Sequence, residues 1–103
     1  MPPLANTPKP PYYAVIFTSL RTEADKGYDE MATKMIELAE QQPGYLGLES
    51  ARDVVGITVS YWKDLVSIKN WKANSAHLEA QEMGRELWYE SFKVRISKVE
   101  RDY

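Results

Sequence analysis

Apolar and polar positions follow two different periods along this chain. From Tyr12 to Leu20 the period is two, yet both parities are apolar: Tyr13, Val15 and Phe17 on one, Ala14, Ile16 and Leu20 on the other. A strand with one wet face alternates cleanly, so this strand is expected to be covered on both sides. From Tyr28 the period becomes helical. Tyr28, Met31, Ala32, Met35, Leu38 and Ala39 fall on one stripe, with mostly charged residues opposite. The spacing predicts a helix within 21–42, starting between Thr22 and Tyr28 and stopped by Pro43-Gly44. The period returns to two in Tyr45 to Asp53 and in Gly56 to Lys63. Their short connection predicts an antiparallel hairpin. Gly47 inside the first of these points to a bulge or a close approach by another backbone.

Asp64 is placed to cap a short helix over 64–72, with Leu65, Ile68 and Trp71 at helical spacing. Asn74-Ser75 reads as a break, with Ser75 capping a third helix that runs to about Trp88. On that helix Ala76, Ala80, Met83 and Leu87 are expected to pack on the sheet. Glu90 to Arg101 reads as the last strand. Phe92, Val94 and Ile96 share one parity and Val99 takes the other, which suggests a bulge near Ser97. Residues 1–11 hold five of the six prolines. They are expected to form a Pro-rich arm, disordered or laid along the surface, with 12–103 as a single domain.

The order is therefore β-α-β-β-α-β, with the second helical stretch in two pieces. This is an α+β, ferredoxin-like arrangement with an antiparallel sheet and both helical regions on one face. The apolar second parity of the first strand then calls for a cover on the other face. A second copy of the same sheet supplies it, which implies a homodimer.

Composition removes several function classes. The formal net charge is −2, so no global field draws the chain to nucleic acid or to an acidic membrane. There is no cysteine, hence no disulfide or thiolate nucleophile. No apolar run has the length of a membrane span, and the N-terminus lacks a signal pattern, so a cytoplasmic protein is expected.

Candidate chemistry concentrates between Trp62 and Trp88, which contain all three tryptophans and the single histidine, His77. His77, Gln81, Gly84 and Trp88 repeat along one side of the third predicted helix, bordering its packing face. Two polar side chains, a glycine and a large ring would suit the wall of a small apolar pocket between helix and sheet. Trp62 and Trp71 flank it in sequence, and Tyr13, Tyr61 or Thr58 could enter from the sheet. His77 is open to three readings: a hydrogen-bonded packing residue, a general acid or base, or an axial ligand for iron. With no second histidine and no tight carboxylate cluster beside it, a metal site built from protein ligands is not expected.

Gln42-Pro43-Gly44-Tyr45-Leu46-Gly47, Ser60-Tyr61-Trp62-Lys63-Asp64, Trp71 and His77 together resemble the antibiotic biosynthesis monooxygenase family over about Tyr12 to Arg101. The resemblance implies a dimeric α+β barrel of ferredoxin-like chains. It also implies a monooxygenase acting on a small aromatic or quinol-type compound with O2 and without metal or flavin. His77 would then be the acid/base or anion partner. Trp62, Trp71, Gln81, Trp88, Tyr61 and Tyr13 would bind the substrate. Two alternatives stand beside it: a heme-binding or heme-degrading relative, and a non-catalytic dimeric protein that holds a small apolar ligand. The heme-degrading branch uses a first-strand Asn, a Trp on the helix after the third strand, and a His ten residues beyond. Trp71 matches the Trp, Gln81 stands where the His would be, and Phe17-Thr18 occupy the place of the Asn.

Overall fold

A computed structural model describes residues 4–23, 27–82 and 88–103. The elements are β1 (Tyr12–Arg21), α1 (Tyr28–Glu40), β2 (Tyr45–Arg52), β3 (Gly56–Trp62), α2 (Leu65–Glu82) and β4 (Tyr89–Val99). The four strands form one antiparallel sheet in the order β2-β3-β1-β4. The βαββαβ arrangement expected from the sequence is the one found.

Each boundary has a local cause. Gly27 takes φ 83° immediately before α1, a left-handed conformation that glycine adopts without steric cost. Gly44 takes φ 85° after it. A Cβ at position 44 would overlap Ser67 Oγ, and the Gly44 carbonyl accepts a 2.8 Å hydrogen bond from the Lys63 N–H. The Pro43-Gly44 turn therefore stops α1 and also lets β2 start hard against the beginning of α2. Asp64 caps α2 as expected: its Oδ1 accepts from the Ser67 N–H at 2.8 Å and from Ser67 Oγ at 2.7 Å. These two bonds hold the Asp64 carboxyl below its ordinary value.

The expected break at Asn74-Ser75 does not occur, and α2 runs through it. Both side chains turn back onto the helix, Asn74 Nδ2 to the Asn70 carbonyl at 3.1 Å and Ser75 Oγ to the Lys72 carbonyl at 3.1 Å. Asn74 also donates to Gln42 Oε1 at 3.0 Å. Residues that often start a helix here serve its interior instead. The inward stripe of α2 is Ile68 and Ser75, which are buried, with Trp71 and Leu78, which are half-buried, whereas Ala76 is exposed. Ala76 thus leaves the expected packing face. Met83, Gly84 and Leu87 lie outside the described residues, as do the side chains of Ala80 and Gln81.

The bulge in β4 is also displaced. Pairing with β1 is continuous from Tyr12↔Val99 to Leu20↔Ser91 and shifts only between Leu20 and Arg21. Val99 needs no bulge, because it belongs to the opposite face, across from Tyr12.

The register fixes the two faces. Tyr13, Trp62 and Tyr45 form one row across the sheet, and Val15, Ser60 and Leu48 the next. Tyr13, Val15, Tyr45 and Trp71 surround a buried centre of Ala39, Trp62 and Ile68, so this is the helix side. Trp62 is 0% exposed, and removing a ring of this size from water contributes roughly 4–6 kcal/mol of transfer free energy.

The other side carries Tyr12, Ala14, Ile16, Val59 and Tyr61, and the Pro-rich arm is laid along one end of it from Leu4 to Pro11. The Ala5 N–H donates to Glu49 Oε2 at 3.0 Å, and Thr7 Oγ1 donates to the Tyr12 hydroxyl at 3.0 Å. Tyr12 in turn donates to Asp102 Oδ2 at 2.6 Å. A Cβ on Gly47, whose φ is 150°, would stand 2.9 Å from Ala5 Cβ. Gly47 therefore serves a close backbone approach, and the β2–β3 register also shifts between Tyr45 and Gly47.

Candidate active site

Two ring clusters stand on the helix side of the sheet. In the first, Trp71 from α2 stacks on Trp62 with centroids 5.6 Å apart and planes at 24°. Tyr45 meets the edge of Trp62 at 5.5 Å, and the Trp62 indole N–H donates to Ser60 Oγ at 2.9 Å. Trp62 is thus a core residue whose polar atom is already used. Trp71 and Tyr13 are half-buried and keep surface at the margin of the cluster. Burial, with Glu40 adding to it, pushes the Tyr45 hydroxyl above its usual value.

In the second cluster, Tyr28 meets the edges of Trp88 and Tyr89 at 6.0 and 6.1 Å. Phe17 contacts Tyr89 at 5.3 Å and Phe92 at 5.8 Å. The Arg21 guanidinium lies 3.5 Å above the Tyr28 ring, a cation–π contact. The Tyr89 hydroxyl donates to the Tyr28 hydroxyl at 3.3 Å.

Between the clusters lies a strip of sheet. Val15 pairs with Ile96 and Phe17 with Val94, while Tyr13 pairs with Lys98 at one end. Phe92, Val94 and Ile96 are 42%, 45% and 52% exposed, although they share a face with the buried centre. Large apolar side chains left open beside a core mark a surface built to be covered by something else. We refer to this strip as the floor.

The candidate residues read from the sequence do not all meet there. Trp62, Trp71 and Tyr13 come together at one end of the floor, and Trp88 belongs to the ring cluster at the other. Tyr61 points to the opposite face. Its hydroxyl donates to Glu49 Oε1 at 2.6 Å, and its ring meets the edge of Tyr12 at 5.8 Å. Burial first, then the bond to Glu49 and its charge, push the Tyr61 pKa up to about 12. His77 is exposed and lies in an open groove of about 320 Å³ between the outer sides of α1 and α2, beside Lys34, Glu37, Gln41 and Asn74. It is not grouped with Trp62 and Trp71. The side chain of Gln81 lies outside the described residues. The floor residues Phe17, Phe92, Val94 and Ile96 and the ring of Tyr28 are read from the sequence as strand and helix positions, not as substrate-binding residues. Their alternation is that of any strand or helix, and only the seating of the helices leaves them open.

Heme can be tested against these side chains. His77, the candidate iron ligand, opens onto the outer α1–α2 groove and not onto the floor. Among the described residues, no histidine stands over the floor to take the axial position of an iron porphyrin held there.

The sequence profile of the antibiotic biosynthesis monooxygenase family matches residues 11–83, and the chain belongs to that family. It is 53% identical over 100 residues to the uncharacterized protein YqjZ of Bacillus subtilis strain 168, a match covering 95% of this chain and 88% of that one. Among solved structures it is similar to SnoaB, a cofactor-independent oxygenase from Streptomyces nogalater. That likeness has a TM-score of 0.73 at 11% identity, covering 90% of this chain and 97% of SnoaB. PA3566 from Pseudomonas aeruginosa is similar with a TM-score of 0.68 at 14% identity, covering 92% and 98%. At these identities the structural likeness establishes the fold. No helix among the described residues is long and apolar enough to cross a membrane.

Proposed function

We propose that this chain is a cofactor-independent monooxygenase, using O2 without metal or flavin on a small flat phenol or quinol. The observation that carries the proposal is the open apolar floor over β1 and β4, walled by ring clusters, in a family fold shared with an oxygenase described as cofactor-independent. A flat aromatic compound lies on Val15, Phe17, Val94 and Ile96, with Trp71 and Tyr13 at one end and Tyr28 and Trp88 at the other. Trp62 supports Trp71 from beneath.

In this chemistry the substrate supplies the electrons. A methylene carbon between aromatic rings, activated by a ring hydroxyl, reacts with one molecule of O2 to give a carbonyl and one molecule of water. Both methylene C–H bonds break and a carbon–oxygen double bond forms. The carbon loses four electrons and O2 gains four. One oxygen atom stays in the carbonyl and the other leaves as water with the two hydrogens. The ionised ring is the reductant. The protein holds the ring flat, limits water above it, and places the Trp71 N–H and Tyr13 O–H near the charge that develops on the ring oxygens. A homodimer in the cytoplasm, with a second copy over the Ile16, Ile57 and Val59 side of the sheet, completes the proposal.

Oxygen uptake with an anthrone-type phenol, in the presence of a chelator, tests it. One O2 consumed per molecule of quinone formed is expected. Saturable binding without uptake would leave a non-catalytic ligand-binding protein instead.

A further inference from the structure

We propose that the ligand of the floor carries an anionic group at one end, a carboxylate or phenolate, which is received by Lys98 and Tyr13. This inference rests on the floor being the site of the aromatic ligand, and it adds the charge and orientation of that ligand.

Lys98 is opposite Tyr13 in the β1–β4 register. Side chains directly opposite in an antiparallel pair share a face and stand about 5 Å apart at Cβ. Tyr13 packs against the buried centre on the helix side, so the Lys98 stem rises on that side too. The other cations of β4 differ: Lys93 and Arg95 pair with Thr18 and Ile16 and belong to the opposite face. Lys98 is therefore the cation that β4 contributes to the helix side. It is exposed, and no ion pair to it forms among the described residues.

The row that ends in Lys98 is otherwise aromatic: Tyr45, Trp62, Tyr13. The next positions along the floor are apolar: Val15 with Ile96, then Phe17 with Val94. From Tyr13 to Phe17 the strand spans about 14 Å, the length of a flat compound of three or four fused rings. An apolar strip of that length, ending in one ammonium beside one phenol, is complementary to an elongated aromatic anion. Its rings cover Val15, Phe17, Val94 and Ile96, and its anionic oxygen lies between Lys98 Nζ and the Tyr13 hydroxyl. A neutral ring system would leave the ammonium without a counter-charge, and a cationic one would be repelled.

The test uses two unreactive probes of one shape, anthraquinone-2-carboxylate and anthraquinone-2-carboxamide, titrated against the full chain by tryptophan fluorescence at low ionic strength. The carboxylate is expected to bind about five-fold or more tightly than the amide, the scale of one partly exposed ion pair. The preference should shrink as salt rises, vanish in Lys98→Met and persist in Lys98→Arg, while the amide binds all three forms alike. Equal affinity of the two probes for the wild-type chain overturns the anionic handle and leaves the floor standing. A preference that survives in Lys98→Met also overturns it, since another group would then be the anion partner. Failure of both probes to bind overturns the floor and the handle together.

Discussion

The indole of Trp71 lies on the indole of Trp62 with ring centroids 5.6 Å apart and planes at 24°, yet the two rings have different tasks. Trp62 is fully buried and its N–H is held by Ser60; Trp71 keeps surface at the end of the floor. Trp62→Ala is expected to cost about 3–5 kcal/mol of stability, and Trp71→Ala about half that. Trp71→Ala should also reduce the fluorescence response to an aromatic probe, leaving the part that comes from Trp88 at the other end of the floor. Denaturant titration of both variants checks the ranking, and equal costs would mean that Trp71 is core as well.

Tyr61 gives an alkaline signature. Its folded pKa is raised to about 12 from an ordinary 10.0 by burial and by its bond to Glu49. A group whose folded pKa is raised stabilises the fold fully below its unfolded value and loses that contribution as pH rises through the folded one. Stability should therefore fall between about pH 10 and pH 12, and Tyr61→Phe should flatten that fall. Thermal unfolding across the range, beside the tyrosinate absorbance, measures it. An unchanged profile in the variant would mean that Tyr61 ionises as in the unfolded chain.

Asp64 acts with the opposite sign. Its bonds to Ser67 lower its pKa from 3.8. The stabilisation is present above that value and disappears as pH falls through the lower folded value. Asp64→Asn should then melt below wild type at pH 7 and approach it in strong acid. Parallel melting curves at both pH values would contradict the cap.

Gly47 holds the arm by having no side chain. Gly47→Val places a branched side chain against Ala5, where even a Cβ would stand 2.9 Å away. The arm should lift, and hydrogen exchange at the Ala5 amide should rise at least ten-fold with the core amides unchanged. Retained protection at Ala5 would show that the arm is held elsewhere.

Much of this architecture could be read from residue order. The two-sided apolarity of β1 has its reason in Trp62 and the helices on one side; on the other the arm covers only the end near Tyr12 and Gly47, and the proposed second copy would cover the rest. Asp64 and Pro43-Gly44 act locally, so their effect was legible. Asn74 and Ser75 misled, because a side chain that can start a helix can equally bond back to the preceding turn, as both do here, Asn74 also donating to Gln42 just past the end of α1. His77 misled for a related reason. A helix face next to a core stripe can look toward the sheet or toward a neighbouring helix, and here it borders α1. The floor could not be read at all. Phe92, Val94 and Ile96 alternate like any strand, and their exposure follows from where the helices sit.

The most direct test of the central claim is oxygen uptake with an anthrone-type phenol by the wild-type chain and by Val94→Asp, which puts a charge in the middle of the floor without touching Trp62 or the helices. The account expects one O2 per quinone from the wild type and at least a hundred-fold loss in the variant, with its melting temperature nearly unchanged. Equal turnover by the two proteins would place the reaction somewhere other than the helix side of β1 and β4.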